Sequence, residues 1–203
     1  MRKIIQTLLS VFFLILFIML AVIGKMQLWM GIFVVSIALS FFLGRIYCGW
    51  ICPINTVLKH ISWVKRKLKI PELTIPSLFR RPWLRILFLV LFIATFIFTI
   101  KSGRQIPVLP ILFGVGIILT LFFPESFWHR WLCPYGTILS LSGSKAKHTV
   151  YINQESCNNC GACYRVCPAE AVKKNEYHSI MPRDCLVCMQ CVDGCRQNAI
   201  TYR

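Results

Sequence analysis

Three features of this sequence predict an α-helical membrane protein that ends in a small α+β domain. Four stretches of 18 to 20 residues are almost wholly apolar, the segments that follow the second and fourth repeat one another at an offset of 81 residues, and eight of the eleven cysteines fall between Cys157 and Cys195. The 203 residues are 57% apolar with a mean hydropathy of +0.65, too apolar for an ordinary soluble domain.

Ile4 to Ile23 is a run of twenty residues broken only by Gln6, Thr7 and Ser10, long enough to cross a hydrocarbon core as a helix. Met1-Arg2-Lys3 ahead of it has the look of a signal-peptide leader. The run is longer than such leaders use and no small-x-small cleavage site follows, so an uncleaved span is expected. Met26 to Leu43, Trp83 to Ile100 and Ile106 to Phe123 complete four transmembrane helices. Arg85, near the start of the third, is expected to snorkel to the interface. Pro107 and Pro110 fall in the first turns of the fourth, where proline is tolerated.

The formal charge is +16, and about +15 of it lies on the first 147 residues, flanking apolar spans as the positive-inside rule describes. Twenty of the 23 Lys and Arg fall on the N-terminus, on Gly44 to Arg85 and after Pro124, against Lys25, Lys101 and Arg104 on the other side. The expected placement is therefore a multi-pass protein of a prokaryotic plasma (inner) membrane, with both termini and the cysteine-rich end cytoplasmic. A reducing compartment keeps eleven cysteines available for metal. Lipid accounts for the basic excess, and no nucleic acid is expected.

Between spans two and three, Pro53 to Ile70 carries Ile54, Val57, Leu58, Ile61, Val64 and Leu68 at helical spacing among five lysines and arginines. It reads as an interfacial amphipathic helix on anionic lipid, or as a basic face for an acidic partner. Pro71 to Pro82 reads as a linker. Ser140 to Thr149 reads as a hinge, dividing a membrane domain, 1–147, from a C-terminal domain, 148–203.

The repeat sets Tyr47 on Trp128, Cys48 on His129, Trp50 on Trp131, Cys52 on Cys133, Pro53 on Pro134 and Thr56 on Thr137. Each unit is two spans, a short motif and a helix opened by proline, in the same orientation, which predicts a pseudo-two-fold axis along the membrane normal. Cys-Pro places a thiol at a helix N-cap, where the dipole favours thiolate. Two such caps facing across the axis bring Cys48, Cys52, His129 and Cys133 together as a third metal centre, an iron-sulfur cluster or a single ion. The alternative is a set of buried or redox-active thiols without metal.

The C-terminal cysteines read Cys157-x-x-Cys160-x-x-Cys163-x-x-x-Cys167-Pro168 and Cys185-x-x-Cys188-x-x-Cys191-x-x-x-Cys195. Three thiolates on a tight loop grip three corners of an iron-sulfur cube. The fourth, expected to open a short helix, serves the neighbouring cube. This is the pattern of a two-cluster ferredoxin domain. One [4Fe-4S] cluster takes Cys157, Cys160, Cys163 and Cys195, and the other takes Cys185, Cys188, Cys191 and Cys167. Zinc and disulfide frameworks also use Cys-x-x-Cys pairs, but neither calls for a doubled x2, x2, x3 spacing. Pro168 closes the first run and Arg196 the second, and a cation beside Cys195 would raise the potential of its cluster.

Gly44-Arg45-x-Tyr47-Cys48-Gly49-Trp50-x-Cys52-Pro53, the second Cys-Pro at Cys133-Pro134 and the closing double motif resemble the membrane polyferredoxin family. That family includes the quinol-dehydrogenase subunit of periplasmic nitrate reductase systems, the membrane part of the nitrous-oxide reductase regulator and a cupric reductase of oxidase assembly. Its members carry Cys-x-x-x-Cys-Pro twice, and here the second copy opens with His129. The extra periplasmic domains of the larger relatives have no counterpart in the sequence, which favours the small quinol-dehydrogenase type.

The resemblance implies an integral membrane electron-transfer protein linking the quinone pool to a redox partner, or to a larger redox complex. A quinone site has only hints: His129, Arg130, Trp131 and Tyr135 gather near the membrane surface, where aromatic residues more commonly serve as interfacial anchors. The competing classes are a copper or iron reductase or maturation factor, built on Cys48, Cys52 and Cys133, and an electron-delivering subunit with no activity of its own. No Cys-x-x-Cys-His occurs, so covalent haem is not expected.

Overall fold

The computed structural model describes residues 2–102, 107–175 and 177–203. Met1, Arg104 and Ile106, which enter the sequence reading, lie outside them. Among the described residues, three helices are long and apolar enough to cross a membrane: α1 (Arg2–Ile23), α2 (Met26–Leu43) and α4 (Pro82–Ser102). Their large apolar side chains stand outward, Leu8, Phe12, Val34, Phe41, Leu91 and Phe98 among them, which is the surface a lipid-facing helix presents. The fourth apolar helix, α5 (Val108–Phe122), has 15 residues and runs about 22 Å, short of a hydrocarbon core of about 30 Å. Pro107 precedes it as N-cap.

Two further helices, α3 (Pro53–Lys67) and α6 (Pro134–Gly143), each follow a Cys-Pro step. The contacts are reciprocal. Helix α3 packs on α1 and α5 while α6 packs on α4 and α2, as two copies of one unit related by a two-fold axis would. Trp29, Phe33, Tyr47, Leu58, Trp128, Tyr135 and Leu139 fill the space between them.

Helix α3 differs from a purely interfacial helix. Its buried row is Ile54, Leu58, Ser62 and Lys65, whereas Val64 and Leu68 are exposed. Lys65 turns inward because α5 ends there with free carbonyls: its Nζ donates to Thr120 O at 2.9 Å and Phe123 O at 3.0 Å and pairs with Glu72 at 3.0 Å. A cation at a helix C-terminus satisfies those groups and the dipole together. The expected hinge also begins inside a helix. Ser140 and Ser142 belong to α6 and are buried, Ser142 bonds Ser40, and the amides of Lys147 and His148 donate to Phe41 O and Phe42 O at the end of α2.

The C-terminal part is two antiparallel pairs, β1 (Val150–Ile152) with β4 (Ile200–Tyr202) and β2 (Val172–Lys174) with β3 (His178–Ile180). Two short helices, α7 (Ala162–Arg165) and α8 (Gln190–Gly194), pack on each other. Val150, Ile152, Val172, Val187 and Ile200 make its small core, with cysteines filling much of the remainder.

Candidate metal centres

Both cysteine loops have one backbone. Asn159, Gly161 and Glu170 adopt left-handed φ values of 53°, 70° and 49°, and Val187, Met189 and Asn198, each 28 positions on, adopt 54°, 61° and 51°. A β-branched residue such as Val187 enters this region only under constraint. The conformation turns successive N–H groups to one side as an anion-binding nest. Those donors meet sulfur: Val187 N lies 3.4 Å from Cys185 Sγ and Ala171 N lies 3.2 Å from Cys167 Sγ.

Each loop encloses a hollow. One is lined by Cys157, Cys160, Cys163 and Cys195, the other by Cys185, Cys188, Cys191 and Cys167. Each hollow thus takes three cysteines from one run and the last cysteine from the other. Cys167 and Cys195 follow α7 and α8 instead of opening a helix, because Cys163 and Cys191 already occupy the helical turns. Burial pushes Cys185 up to about 11 and Cys191 up to about 12, the latter also under the influence of Cys185 and Cys167. Bare thiolates are disfavoured here, so a metal that binds them must displace their protons. Among the described residues no three His, Cys, Asp or Glu side chains converge as around a single ion. A cube, which takes one thiolate per corner, does not ask for that convergence, and four thiols around a hollow with N–H groups turned to sulfur fit it.

The two Cys-Pro turns are also copies. Tyr47–Ile51 and Phe127–Leu132 each form a π-helical turn, closed by Cys52 N to Tyr47 O at 2.8 Å and Cys133 N to Trp128 O at 2.9 Å. Cys52 and Cys133 cap α3 and α6 with nearly equal torsions, −64°/117° and −68°/111°. Thr56 and Thr137 return hydroxyl bonds to the Cys52 and Cys133 carbonyls, both at 3.1 Å. Gly136 N donates to Cys133 Sγ at 3.3 Å.

The three thiols are close enough to perturb one another. Cys52 is held well above the usual thiol range by burial and then by Cys48 and Cys133, and Cys133 is pushed up to about 11 by burial and then by Cys48. His129 is buried and held down near 3 by burial and the Arg45 guanidinium, so its imidazole is neutral and able to ligate. Its Nε2 is buried without a hydrogen-bond partner among the described residues, which leaves that nitrogen free to ligate.

The C-terminal loop sits directly on the first Cys turn. Gly49 leaves no room for a side chain, since a Cβ there would stand 2.5 Å from Leu186 O and 3.0 Å from Cys188 Cα. Trp50 Nε1 donates to Val187 O at 3.0 Å, and Gln6 Nε2 donates to Gly49 O at 2.9 Å and Cys188 O at 3.3 Å. Arg85 does not snorkel. It is buried, with Nη1 3.2 Å from Asp184 Oδ1 and Nε donating to Thr137 Oγ1 at 3.1 Å, because the C-terminal part brings an acid to it. The other hollow lies away from this junction, with Cys160 exposed.

Sequence reading treats Gln6 and Ser10 as interruptions of an apolar run, and it misses Gly49 and Asp184. A polar side chain inside a span is itself a signal of a partner, and Gln6 had that signal. Of the residues hinting at a quinone, Arg130 is engaged with Glu170 O at 2.8 Å. Tyr135 is buried with its hydroxyl on Met30 Sδ at 3.6 Å and its ring 4.4 Å from Phe33. The two face different surroundings.

Comparison with known proteins points the same way. A family described as a 4Fe-4S binding domain matches twice, over residues 26–71 and 105–150, one match on each Cys-Pro unit. A second, described as a 4Fe-4S dicluster domain, matches residues 149–196. The ferredoxin-type protein NapH of Haemophilus influenzae is 28% identical over 78% of this chain and 62% of its own length. The methylamine utilization ferredoxin-type protein MauN of Paracoccus denitrificans is 31% identical over 68% of this chain and 51% of its own. An uncharacterized protein of Methanocaldococcus jannaschii is 27% identical over the whole of this chain and 94% of its own length. The chain spans about three-fifths of the length of the NapH relatives it matches. No solved structure matches it.

Proposed function

The chain belongs to the membrane polyferredoxin family of NapH type, ferredoxin-type 4Fe-4S electron-transport proteins, and from that premise we propose that it carries single electrons between the membrane and a redox partner. Two [4Fe-4S] clusters, held by Cys157, Cys160, Cys163 and Cys195 and by Cys185, Cys188, Cys191 and Cys167, store one electron each. Cys48, Cys52 and Cys133, with His129, hold a third centre at the membrane surface. In this reading the short α5 completes a four-span domain through a locally thinned bilayer, and the C-terminal part faces the cytoplasm, as the basic loops argue.

The observation that carries the proposal is the crossed lining of the two hollows together with the seating of Cys188 against Gly49. The chain's own residues set an order. Exposed Cys160 is where a partner approaches, the backbone at Cys188 meets the first Cys turn, and Tyr135 stands between that turn and Met30 on α2. The resemblance supplies a quinone as the membrane partner, and quinone takes two electrons and two protons to become quinol, so two one-electron cubes match its demand. Anaerobic purification in detergent, with iron, acid-labile sulfide and copper measured per chain, tests this. More than eight iron with matching sulfide, falling to about eight in Cys52→Ala, is expected for two four-iron cubes and a third centre. Labile copper without extra iron would favour a metal reductase instead.

A further inference from the structure

Arg45 is 1% exposed and stands at the head of the first Cys turn. Helix α6 is notched to receive it: a Cβ on Gly136 would lie 2.6 Å from its Nη2, and one on Gly143 would lie 3.1 Å from its Cγ. Nη2 points at Cys48 Sγ, 3.7 Å away. Nη1 reaches Arg183 O at 3.3 Å and Asp184 O at 3.4 Å, the two residues before Cys185. The same guanidinium is near enough to Cys133 and Cys185 to pull against the burial that raises both. Nε has no partner.

Among the described residues no carboxylate pairs with Arg45. Asp184, the buried acid beside it, is engaged by Arg85, so two buried guanidinium groups share one buried carboxylate. Burying an uncompensated charge is costly, and arginine does not relieve the cost by losing its proton. A cube ligated by thiolates is an anion, and one lies in the proposed arrangement on either side of Arg45. A plain clamp between the two parts of the chain would need the bonds to the Arg183 and Asp184 carbonyls but no cation turned toward sulfur. The repeat sharpens the point, since the residue 81 positions on is Ser126 and the guanidinium has no twin.

We propose that Arg45 is the shared counter-cation of the two metal-thiolate sites it separates, raising the reduction potentials of both and leaving that of the Cys160 site unmoved. This rests on iron-sulfur centres filling both sites, as read above. The test is redox titration of the full chain in detergent, followed by electron paramagnetic resonance, with signals assigned by Cys160→Ser and Cys52→Ala.

Arg45→Met is expected to lower the midpoint potentials of the Cys188-side cluster and of the membrane-surface centre while the Cys160-side cluster stays put. Arg45→Lys should restore most of the shift. If Arg45→Met does not retain iron, Arg45→Gln, which keeps a donor toward the Arg183 carbonyl, gives the same comparison. Unchanged potentials at full iron content, or an equal shift at all centres, would leave Arg45 a clamp and overturn the proposal. Wild-type iron of about eight per chain would remove the membrane-surface centre, and the Cys188-side potential alone would then decide for or against Arg45.

Discussion

The two cysteine hollows have the same backbone and opposite surroundings. Left-handed residues recur 28 positions apart, and each hollow draws three cysteines from one run and one from the other. Yet Cys160 is exposed, whereas Leu186, Val187 and Met189 are buried and their loop lies under Gly49, Trp50 and Gln6. One side of a duplicated unit has been kept open and the other closed by the membrane part of the same chain. In the proposed function, this difference is what orders the centres from the membrane part to the open end.

The largest test of that difference is ligand removal. Cys160→Ala and Cys188→Ala are each expected to remove about four iron per chain, by the one-cube-per-hollow arrangement. Only Cys188→Ala should also expose its loop to proteolysis, because that loop is part of the junction. Asp184→Asn comes next: it leaves Arg85 and Arg45 buried without an acid and should cost about 3–5 kcal/mol in detergent unfolding, loosening the junction while the Cys160-side signal persists.

A pH effect is expected at Glu125, which lines one cavity with Cys167 of the closed hollow. Burial raises Glu125 to about 7, so its carboxylate costs nothing below about pH 4, where it is protonated folded or unfolded. The cost grows as pH climbs toward 7 and is constant above. Glu125→Gln should therefore stabilise the protein at pH 8, on the order of 2–4 kcal/mol, and leave it unaltered at pH 4. Gly49→Ala should cost about 1–3 kcal/mol by overpacking against Leu186 and speed iron loss to a chelator from the closed hollow only. Smallest of all, Val187→Gly should cost a net of about 1–2 kcal/mol, because losing a side chain buried in the small core outweighs the relief of its left-handed φ, and Asn159→Gly, at the matching position of the open hollow, should cost about 1 kcal/mol because its Oδ1 accepts from the His178 amide.

Much of this was legible in the sequence because it rested on periodicity and spacing. Met26–Leu43 appears as a helix with those bounds, and the offset of 81 returns as two matching π-turns. What was not legible depended on who meets whom. Lys65 belongs to a basic run by composition, and only the end of α5 turns it inward. Arg85 looks like a snorkelling residue until Asp184, 99 positions away, arrives beside it. Ser140 and Ser142 look like hinge residues, yet α6 carries them into the core because Ser40 offers a partner. The fourth apolar helix covers 15 residues, Val108–Phe122, after Pro107 as its N-cap, against the 18 of the apolar run that begins at Ile106, outside the described residues. Which four cysteines line each hollow follows from spacing, but the placement of the hollows relative to the membrane part follows from Gly49, whose meaning lies in its missing side chain.

The central claim is that electrons pass between the membrane and the C-terminal centres through the first Cys turn. Its most direct test is the oxidation of dithionite-reduced protein in liposomes by a lipophilic quinone, followed by the loss of the reduced-cluster resonance in wild type and in Cys52→Ala. The account predicts rapid oxidation in wild type and a loss of rate of at least about tenfold in Cys52→Ala, equivalent to about 1.4 kcal/mol in barrier, with dithionite reducing the C-terminal clusters equally in both. Equal oxidation rates would contradict it, leaving the Cys-Pro turns structural and the membrane outside the electron path.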